Sequence, residues 1–227
     1  MLFLGVIFTG ISANAQQDAN LLIQKVGAKI NLVNNYVADG KMRTNVAFLK
    51  VPESIVKIYF KKPDRLKIKN EKGISFVPKG AVSINLDNII NGNKYTALDA
   101  GTDKIGNTTV RVIKLLPEDD NADVVLSTVY IDEANLVIKK AKTTTRENGS
   151  YQLEMDYGRY TAYGLPDKII FTFNTKDYKL PKGVTFDFDD GTEAKKPAGD
   201  GLKKNQGMAI ITFDSYAINK GVPDAVF

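Results

Sequence analysis

The sequence predicts a mainly β protein of the α+β class, with about eleven or twelve antiparallel strands to one long helix. Three observations carry this expectation. The first is a run of strand-like segments: Thr109–Leu116, Val124–Ile131, Leu136–Thr145 and Tyr151–Tyr160, followed by Lys168–Phe173. The second is the shortness of two connections, Asp132-Glu133-Ala134-Asn135 and Glu147-Asn148-Gly149-Ser150. The Asn-Gly pair in the latter tolerates the positive φ of a tight hairpin turn. The third is strict alternation: Tyr151, Leu153, Met155 and Tyr157 interleave with Gln152, Glu154 and Asp156. Period two places an apolar surface on one side of the sheet and water on the other, so something must cover the apolar side.

Taken in order, the chain opens on a short apolar run, Leu2, Phe3, Leu4, Val6, Ile7, Phe8 and Ile11, closed by Ala13-Asn14-Ala15. A small-x-small pattern after such a run reads as a secretory signal peptide over residues 1–15. The basic residues expected ahead of the run are missing, which suggests a start codon assigned slightly late. A buried N-terminal strand or helix is the alternative. The run is too short to span a bilayer, and no cysteine follows it to carry a lipid. The expected product is an exported, soluble, periplasmic chain starting near Gln16 and forming one domain, 16–227. Ala19 to about Val33 is the one clear helix, with Leu22, Val26, Ile30 and Val33 on one stripe, Leu21 and Ile23 beside it, and Asp18 or Asn20 as cap.

Tyr36–Phe48 reads as a strand with a bulge at Asp39-Gly40, and Ile55–Phe60 and Arg65–Lys69 as strands parted by Lys61-Lys62-Pro63-Asp64. Proline removes a ladder donor, so that point is an edge, bulge or turn. Gly73–Val77 reads as a short strand, Leu86 to Ile90 as a helical turn and Tyr95–Leu98 as another strand. Beyond the meander, Asp177–Asp190 alternates through Val184, Phe186 and Phe188, Gly191–Gly207 reads as a loop or hairpin tip, and Met208–Asn219 as a last strand.

Composition narrows the function. The 227 residues include no cysteine, histidine or tryptophan. That removes thiol nucleophiles, the commonest general base and the usual ligands of zinc, iron or copper. No metal or other cofactor is expected, nor an enzyme. The net charge of +5 is moderate. Its densest stretch holds Lys57, Lys61, Lys62, Arg65, Lys67, Lys69 and Lys72, mostly on odd positions with Ile58, Phe60, Leu66 and Ile68 on even ones. A solvated outer sheet face accounts for this, and a surface for anionic headgroups or an acidic partner uses the same residues. Nucleic acid is not an expected partner, because no aromatic-basic platform is present.

Motifs with catalytic potential are few. Asp187-Phe188-Asp189-Asp190-Gly191 looks like a calcium loop, but its glycine falls one place early and the twelfth residue is Ala198, so a polar turn is the reading. Glu154 and Asp156 share a strand face, where solvated acids are ordinary; glycoside hydrolysis is the weaker reading. The aromatics say more. Ten tyrosines and eleven phenylalanines are mostly in predicted strands, with Tyr130, Tyr151, Tyr157, Phe171, Phe173, Phe186, Phe213 and Tyr216 at or near apolar-facing positions. One sheet and one helix offer too little partner surface to bury so many, and a cavity for a hydrophobic ligand resolves the mismatch.

Several short motifs then bear on family. The strand ending in basic-basic-Pro (Lys61-Lys62-Pro63), the strand ending Val112-Ile113-Lys114-Leu115-Leu116-Pro117, Pro181 to Val184, and Tyr216 to Asp224 occur in the order seen in LolA-like outer-membrane lipoprotein-sorting proteins. The chain resembles that family over most of residues 19–227. The resemblance implies an incomplete antiparallel β-barrel whose mouth is covered by helices. It implies a monomeric, non-enzymatic carrier that takes acyl chains of lipoproteins or other lipids from an inner-membrane exporter to an outer-membrane receptor. It also implies a lid latch at the residue before the proline, an arginine in the family and Lys62 here; an ammonium lacks the planar fork, so the latch differs. The family's second lid helix has only Leu86–Ile90 to supply it. The expected cavity wall is Leu126, Tyr130, Leu136, Ile138, Leu153 and Met155 with Tyr157, Ile169, Phe171 and Phe173, and the expected lid face is Leu22, Val26 and Ile30. A sensor of envelope stress or a protein-interaction module on the same fold is the rival reading.

Overall fold

The structure, a computed structural model, describes residues 11–46, 49–50, 53–63, 65–72, 94–147, 149–174 and 206–227. The expected signal run up to residue 10, the strand at 73–77, the helical turn at 86–90, the strand at 177–190 with its calcium-like turn, and the loop up to residue 205 lie outside the described residues.

One helix and eleven strands make up the described chain: α1 (Ile11–Ile30), β1 (Asn35–Val46), β2 (Leu49–Lys50), β3 (Ser54–Lys61), β4 (Arg65–Lys72), β5 (Tyr95–Ile105), β6 (Thr108–Pro117), β7 (Val124–Asp132), β8 (Val137–Thr145), β9 (Ser150–Asp156), β10 (Lys168–Asn174) and β11 (Gln206–Ile218). They form a single antiparallel sheet in the order β4-β3-β1-β11-β10-β9-β8-β7-β6-β5, with β2 paired to β1. Every step from β5 to β10 joins neighbours in sequence, as the alternation and tight turns predict. β1 then closes on β11 across the sheet, with Met42 opposite Ile211 and Ala38 opposite Tyr216.

Following the register across the sheet gives one continuous inner face. Ala97 lies opposite Leu115, Ile113 opposite Val129, Val129 opposite Ala141, Ala141 opposite Leu153, Leu153 opposite Phe171, and Phe171 opposite Ala209. All are buried. Bulges bend the sheet around this face, since an extra residue on one strand kinks it and increases its twist. The first falls at Asp39/Gly40, as the sequence predicts. A side chain cannot replace the glycine's hydrogen, because a Cβ on Gly40 would stand 2.5 Å from the Thr212 carbonyl oxygen. Others fall at Asp99/Thr102, where Gly101 takes φ 86°, and at Tyr130/Ile131.

The helix differs from its predicted span. It begins at Ile11 rather than Ala19, because Ala13 to Asp18 continues helix-compatible sequence without a break. It ends at Ile30 rather than near Val33, its last turn tightened by bonds from Leu32 N–H to Lys29 C=O and Val33 N–H to Ile30 C=O. Its buried stripe is Ala19, Leu22, Ile23 and Val26, so Ile23 belongs to the inner face while Leu21 is 47% exposed.

Three strand expectations are corrected. β9 stops at Asp156 instead of Tyr160, because Gly158 to Gly164 folds into a loop with a 3-10 turn at Thr161–Tyr163. β5 runs to Ile105 instead of Leu98, carried past the bulge by pairing to β6. Leu136 precedes β8 with φ 50°, a turn position that follows the Asp132 side-chain bonds to the N–H groups of Ala134 and Asn135.

Candidate functional site

The concave face holds two apolar clusters. The larger joins Leu22, Ile23 and Val26 of α1 to Ile113, Ile131, Ile138, Leu153, Met155, Phe171 and Phe173 of the sheet, with Ile30, Leu136, Tyr157 and Ile169 packed at its margin. The smaller joins Ala38, Met42, Val56, Ile58, Ile211 and Phe213, and includes no α1 residue. Ile169 touches both. The helix therefore lies over one half of a wider apolar trough.

Eleven of the expected cavity and lid residues gather in or against the larger cluster: Leu22, Val26, Ile30, Leu136, Ile138, Leu153, Met155, Tyr157, Ile169, Phe171 and Phe173. Leu126 and Tyr130 do not. On β7 it is Val129 and Ile131 that face inward, so alternation turns Leu126 and Tyr130 to the convex side. There Tyr130 lies under the ammonium groups of Lys140 and Lys142, at 5.4 and 5.8 Å from the ring centre. Both faces of β7 carry large apolar side chains, so the sequence of that strand alone is ambiguous.

At the seam between the clusters, where α1 ends, is an apolar pocket of about 80 Å³. Ile30 and Val33 form its roof, and Tyr36, Phe60, Ile169, Phe213 and Tyr216 its floor. The aromatics lock one another: Tyr36 stacks on Phe60 at 5.2 Å, and Tyr216 stacks on Phe213 at 4.9 Å and meets Tyr36 edge-on at 5.3 Å. Two buried phenols have hydrogen-bond partners: Tyr216 of this pocket donates to the Pro166 carbonyl at 2.8 Å, and Tyr157 at the margin of the larger cluster to that of Ile138 at 3.0 Å. Burial pushes the Tyr36, Tyr157 and Tyr216 phenols above their ordinary range.

Polar ties between α1 and the sheet are gathered at one end. Lys29 donates to the Asn135 carbonyl at 2.5 Å, and Lys62 to the Asn31 side-chain oxygen at 2.6 Å. Asn219, at the end of β11 with φ 56°, accepts from Asn34 N–H at 2.8 Å and donates to the Leu32 carbonyl at 2.8 Å. From Gln17 onward, where the side chains of the helix are described, its hydrogen bonds to the sheet fall here. Lys62, singled out in the sequence, thus touches the foot of the helix. Asn219 was not singled out. An asparagine before Lys-Gly suits a left-handed turn, but nothing local shows that its amide reaches back to residues 32–34.

The other half of α1 rests on side chains. Beside it, Asp18, Leu21, Lys25, Arg111, Glu133 and Leu136 line a recess of about 250 Å³. Arg111 reaches Asp99 through Nε at 2.9 Å and through a second guanidinium nitrogen. Burial acts to raise the Asp99 pKa, but the bonds from Arg111 and from Gly101 N–H outweigh it and hold the carboxyl below the usual range. At the far end of the strands an open depression of about 530 Å³ is bordered by Thr143, Tyr151, Gln152, Phe173 and Gln206.

Catalytic alternatives gain nothing from the geometry. Glu154 and Asp156 are exposed on the convex face, and Glu154 accepts a bond from Gln152 at 2.6 Å. Among the described residues no group of three or more acidic side chains is placed to hold a metal ion, and no helix is long and apolar enough to cross a membrane.

Comparison with solved structures identifies the architecture. A domain from Vibrio parahaemolyticus described as outer membrane lipoprotein-sorting matches with a TM-score of 0.59 and 10% identity over 92% of this chain and 96% of that one. A LolA superfamily protein from Nitrosomonas europaea matches with a TM-score of 0.56 and 12% identity over 92% of this chain and 96% of that one. The fold is LolA-like. A DUF1329 family protein from Desulfovibrio piger shares it, with a TM-score of 0.58 and 11% identity over 94% and 97% of the two chains. No protein-family model and no curated protein matches the sequence. The open antiparallel barrel with a helical cover that the family resemblance implied is thus a LolA-like half-barrel, α1 lying in its mouth.

Proposed function

We propose that this protein is a non-enzymatic carrier that binds the acyl chains of lipoproteins or other lipids in its trough and ferries them through the periplasm toward the outer membrane. One observation carries the reading: α1 covers an apolar concave face with a purely apolar stripe, while its polar ties sit together at its C-terminal end. That is the construction of a hinged lid. Lys62 and Asn219 hold the hinge, and the stripe of Leu22, Ile23 and Val26 is the part that lifts. The names of the neighbours, lipoprotein-sorting and LolA superfamily, support the same reading.

Magnitudes favour exchange between lid and cargo. The 80 Å³ seam pocket is well below the roughly 300 Å³ at which ligand pockets begin, so cargo enters by displacing the helix. Burying Leu22, Ile23 and Val26 is worth about 1.5–3 kcal/mol each. An acyl chain of about ten methylenes recovers roughly 8 kcal/mol at about 0.8 kcal/mol per methylene. The two nearly balance, which suits a protein that must release what it binds. Removal of residues 1–15 on export leaves the helix the buried residues Ala19, Leu22, Ile23 and Val26. An inner-membrane donor and an outer-membrane acceptor complete the route, and the carrier works as a monomer.

The test is native mass spectrometry of the mature protein purified from the periplasm without detergent, together with uptake of a fluorescent fatty-acyl probe. The expected result is a bound mass that disappears on organic extraction, and probe uptake that stops when cysteines placed at Asp18 and Glu133, which line the recess beside the lifting half of the helix, are bridged by a short bis-maleimide. The chain has no native cysteine to interfere. A clean apo mass with no probe uptake would overturn the reading.

A further inference from the structure

The β3–β4 hairpin turns two different faces outward and inward. Inward are Val56, Ile58, Phe60, Leu66 and Ile68. Outward, register sets Lys57 opposite Lys69, Tyr59 opposite Lys67, and Lys61 opposite Arg65. Like charges directly opposite on a strand pair are destabilising, and this hairpin carries two such pairs around one tyrosine. Part of the charge is met by acids from elsewhere. Asp39 of β1 lies 3.4 Å from Lys57. Asp224 bridges Lys61 at 2.6 Å and Arg65 at 2.8 Å.

Asp224 belongs to a segment that crosses this face as a ligand would. Val222 is buried and seats it, Pro223 is extended, and Asp224–Val226 makes one 3-10 turn. The Phe227 ring lies under the Arg65 guanidinium, 5.2 Å from its centre, and the Phe227 oxygen accepts from Lys67 at 3.3 Å. One carboxylate held between two cations, followed by an aromatic ring under a guanidinium, is a convergent arrangement suited to a peptide. A flat anionic bilayer would meet the same lysines without needing either feature. Asp224 itself is 66% exposed, so the contact is displaceable.

We infer that the outer face of β3–β4 is a docking surface for a partner protein's segment bearing a carboxylate followed by a large apolar or aromatic side chain, and that residues 224–227 occupy it in cis. Among the described residues the face gathers Lys57, Lys61, Arg65, Lys67 and Lys69, with Asp39 on Lys57 and Asp224 between Lys61 and Arg65. The surface adjoins the fixed end of the helix, since Lys61 precedes Lys62, the residue bonded to Asn31. The inference stands on these contacts and not on the acyl-carrier reading.

The probe is a fluorescein-labelled synthetic peptide with the sequence of residues 222–227, added to the full chain and read by fluorescence anisotropy. The double variant Asp224→Ala/Phe227→Ala, with its own segment released, should bind the peptide about tenfold more tightly than the unaltered chain. Lys61→Glu/Arg65→Glu should abolish binding, and a peptide with asparagine for its aspartate should bind about tenfold more weakly. Thermal melts show whether each variant is folded, and Asp224→Asn alone, the smallest change, should give an intermediate gain if the double variant is unstable. Equal peptide affinity for released and unaltered chains would overturn the inference. So would binding of the released variant to phosphatidylglycerol vesicles in place of the peptide, which would make the face a membrane surface.

Discussion

The separability of α1 from the sheet is best tested by Ile23→Ala. Ile23 is 1% exposed and packs in the cluster that spans the helix and the strands from β5 to β11. Removing its branched end costs about 2–4 kcal/mol, the transfer loss plus the cavity left behind. If the helix swings out while the sheet stays folded, the whole cost falls on the closed state of the lid, and a loss of about 3 kcal/mol raises the opening constant about 150-fold. Native-state hydrogen exchange followed by mass spectrometry reads this directly. Amides of residues 17–33 should exchange about 100-fold faster than in the unaltered chain, while those of β8, β9 and β10 keep their rates. Leu21→Ala, at a position 47% exposed on the same helix, should change exchange by less than about 0.5 kcal/mol. Parallel acceleration of helix and strands would refute the reasoning, because α1 would then be an inseparable part of the core.

Other outcomes follow from the same geometry. Ile169→Ala, at the seam of the two clusters, should weaken acyl-probe affinity about tenfold, while Tyr130→Ala on the convex face should leave it unchanged; equal effects would mean that the wrong face has been assigned to the ligand. Gly40→Ala sets a methyl against the Thr212 carbonyl, 2.5 Å away, and should lower stability by about 1–3 kcal/mol in urea unfolding; an unchanged midpoint would show that the β1–β11 bulge yields freely. The Asp99 pKa is depressed in the folded state. The stability it contributes is therefore complete above the unfolded carboxyl value of about 4 and is lost as pH falls through the lower folded value. Asp99→Asn should lower the urea midpoint at neutral pH and flatten its fall as pH drops below about 4. Identical slopes for both proteins would exclude the pair as an acid-sensitive element.

How much of this was legible in the sequence depends on the range of the interaction involved. Alternation in Tyr151, Leu153 and Met155 placed those residues together because a strand's side chains change face at every step, and the register then carried the pattern to Ile169, Phe171 and Phe173. The bulge at Asp39-Gly40 was legible from its glycine. In β7 the same reasoning failed, since Val129 and Ile131 on one face and Leu126 and Tyr130 on the other are equally apolar; small Ala141 opposite Val129 and the helix above them decided the inward side. The foot of α1 was half legible. Lys62 was picked out by the family resemblance, whereas Asn219 lies 187 residues from the Leu32 carbonyl it binds.

By itself, then, the sequence determined the class of the protein: antiparallel strands in order from β5 to β10, one amphipathic helix, no thiol or imidazole chemistry, and more apolar strand surface than a single helix covers. Those are consequences of period, turn residues and composition, all of which act between near neighbours in the chain. Only the tertiary structure decided which face of β7 is concave, that β1 closes on β11, that α1 is tied at one end by Lys62 and Asn219, and that Asp224 and Phe227 lie across the basic hairpin. Each of these rests on contacts between distant segments, whose selection depends on the packing of the whole sheet and leaves no periodic mark in the residues that make them.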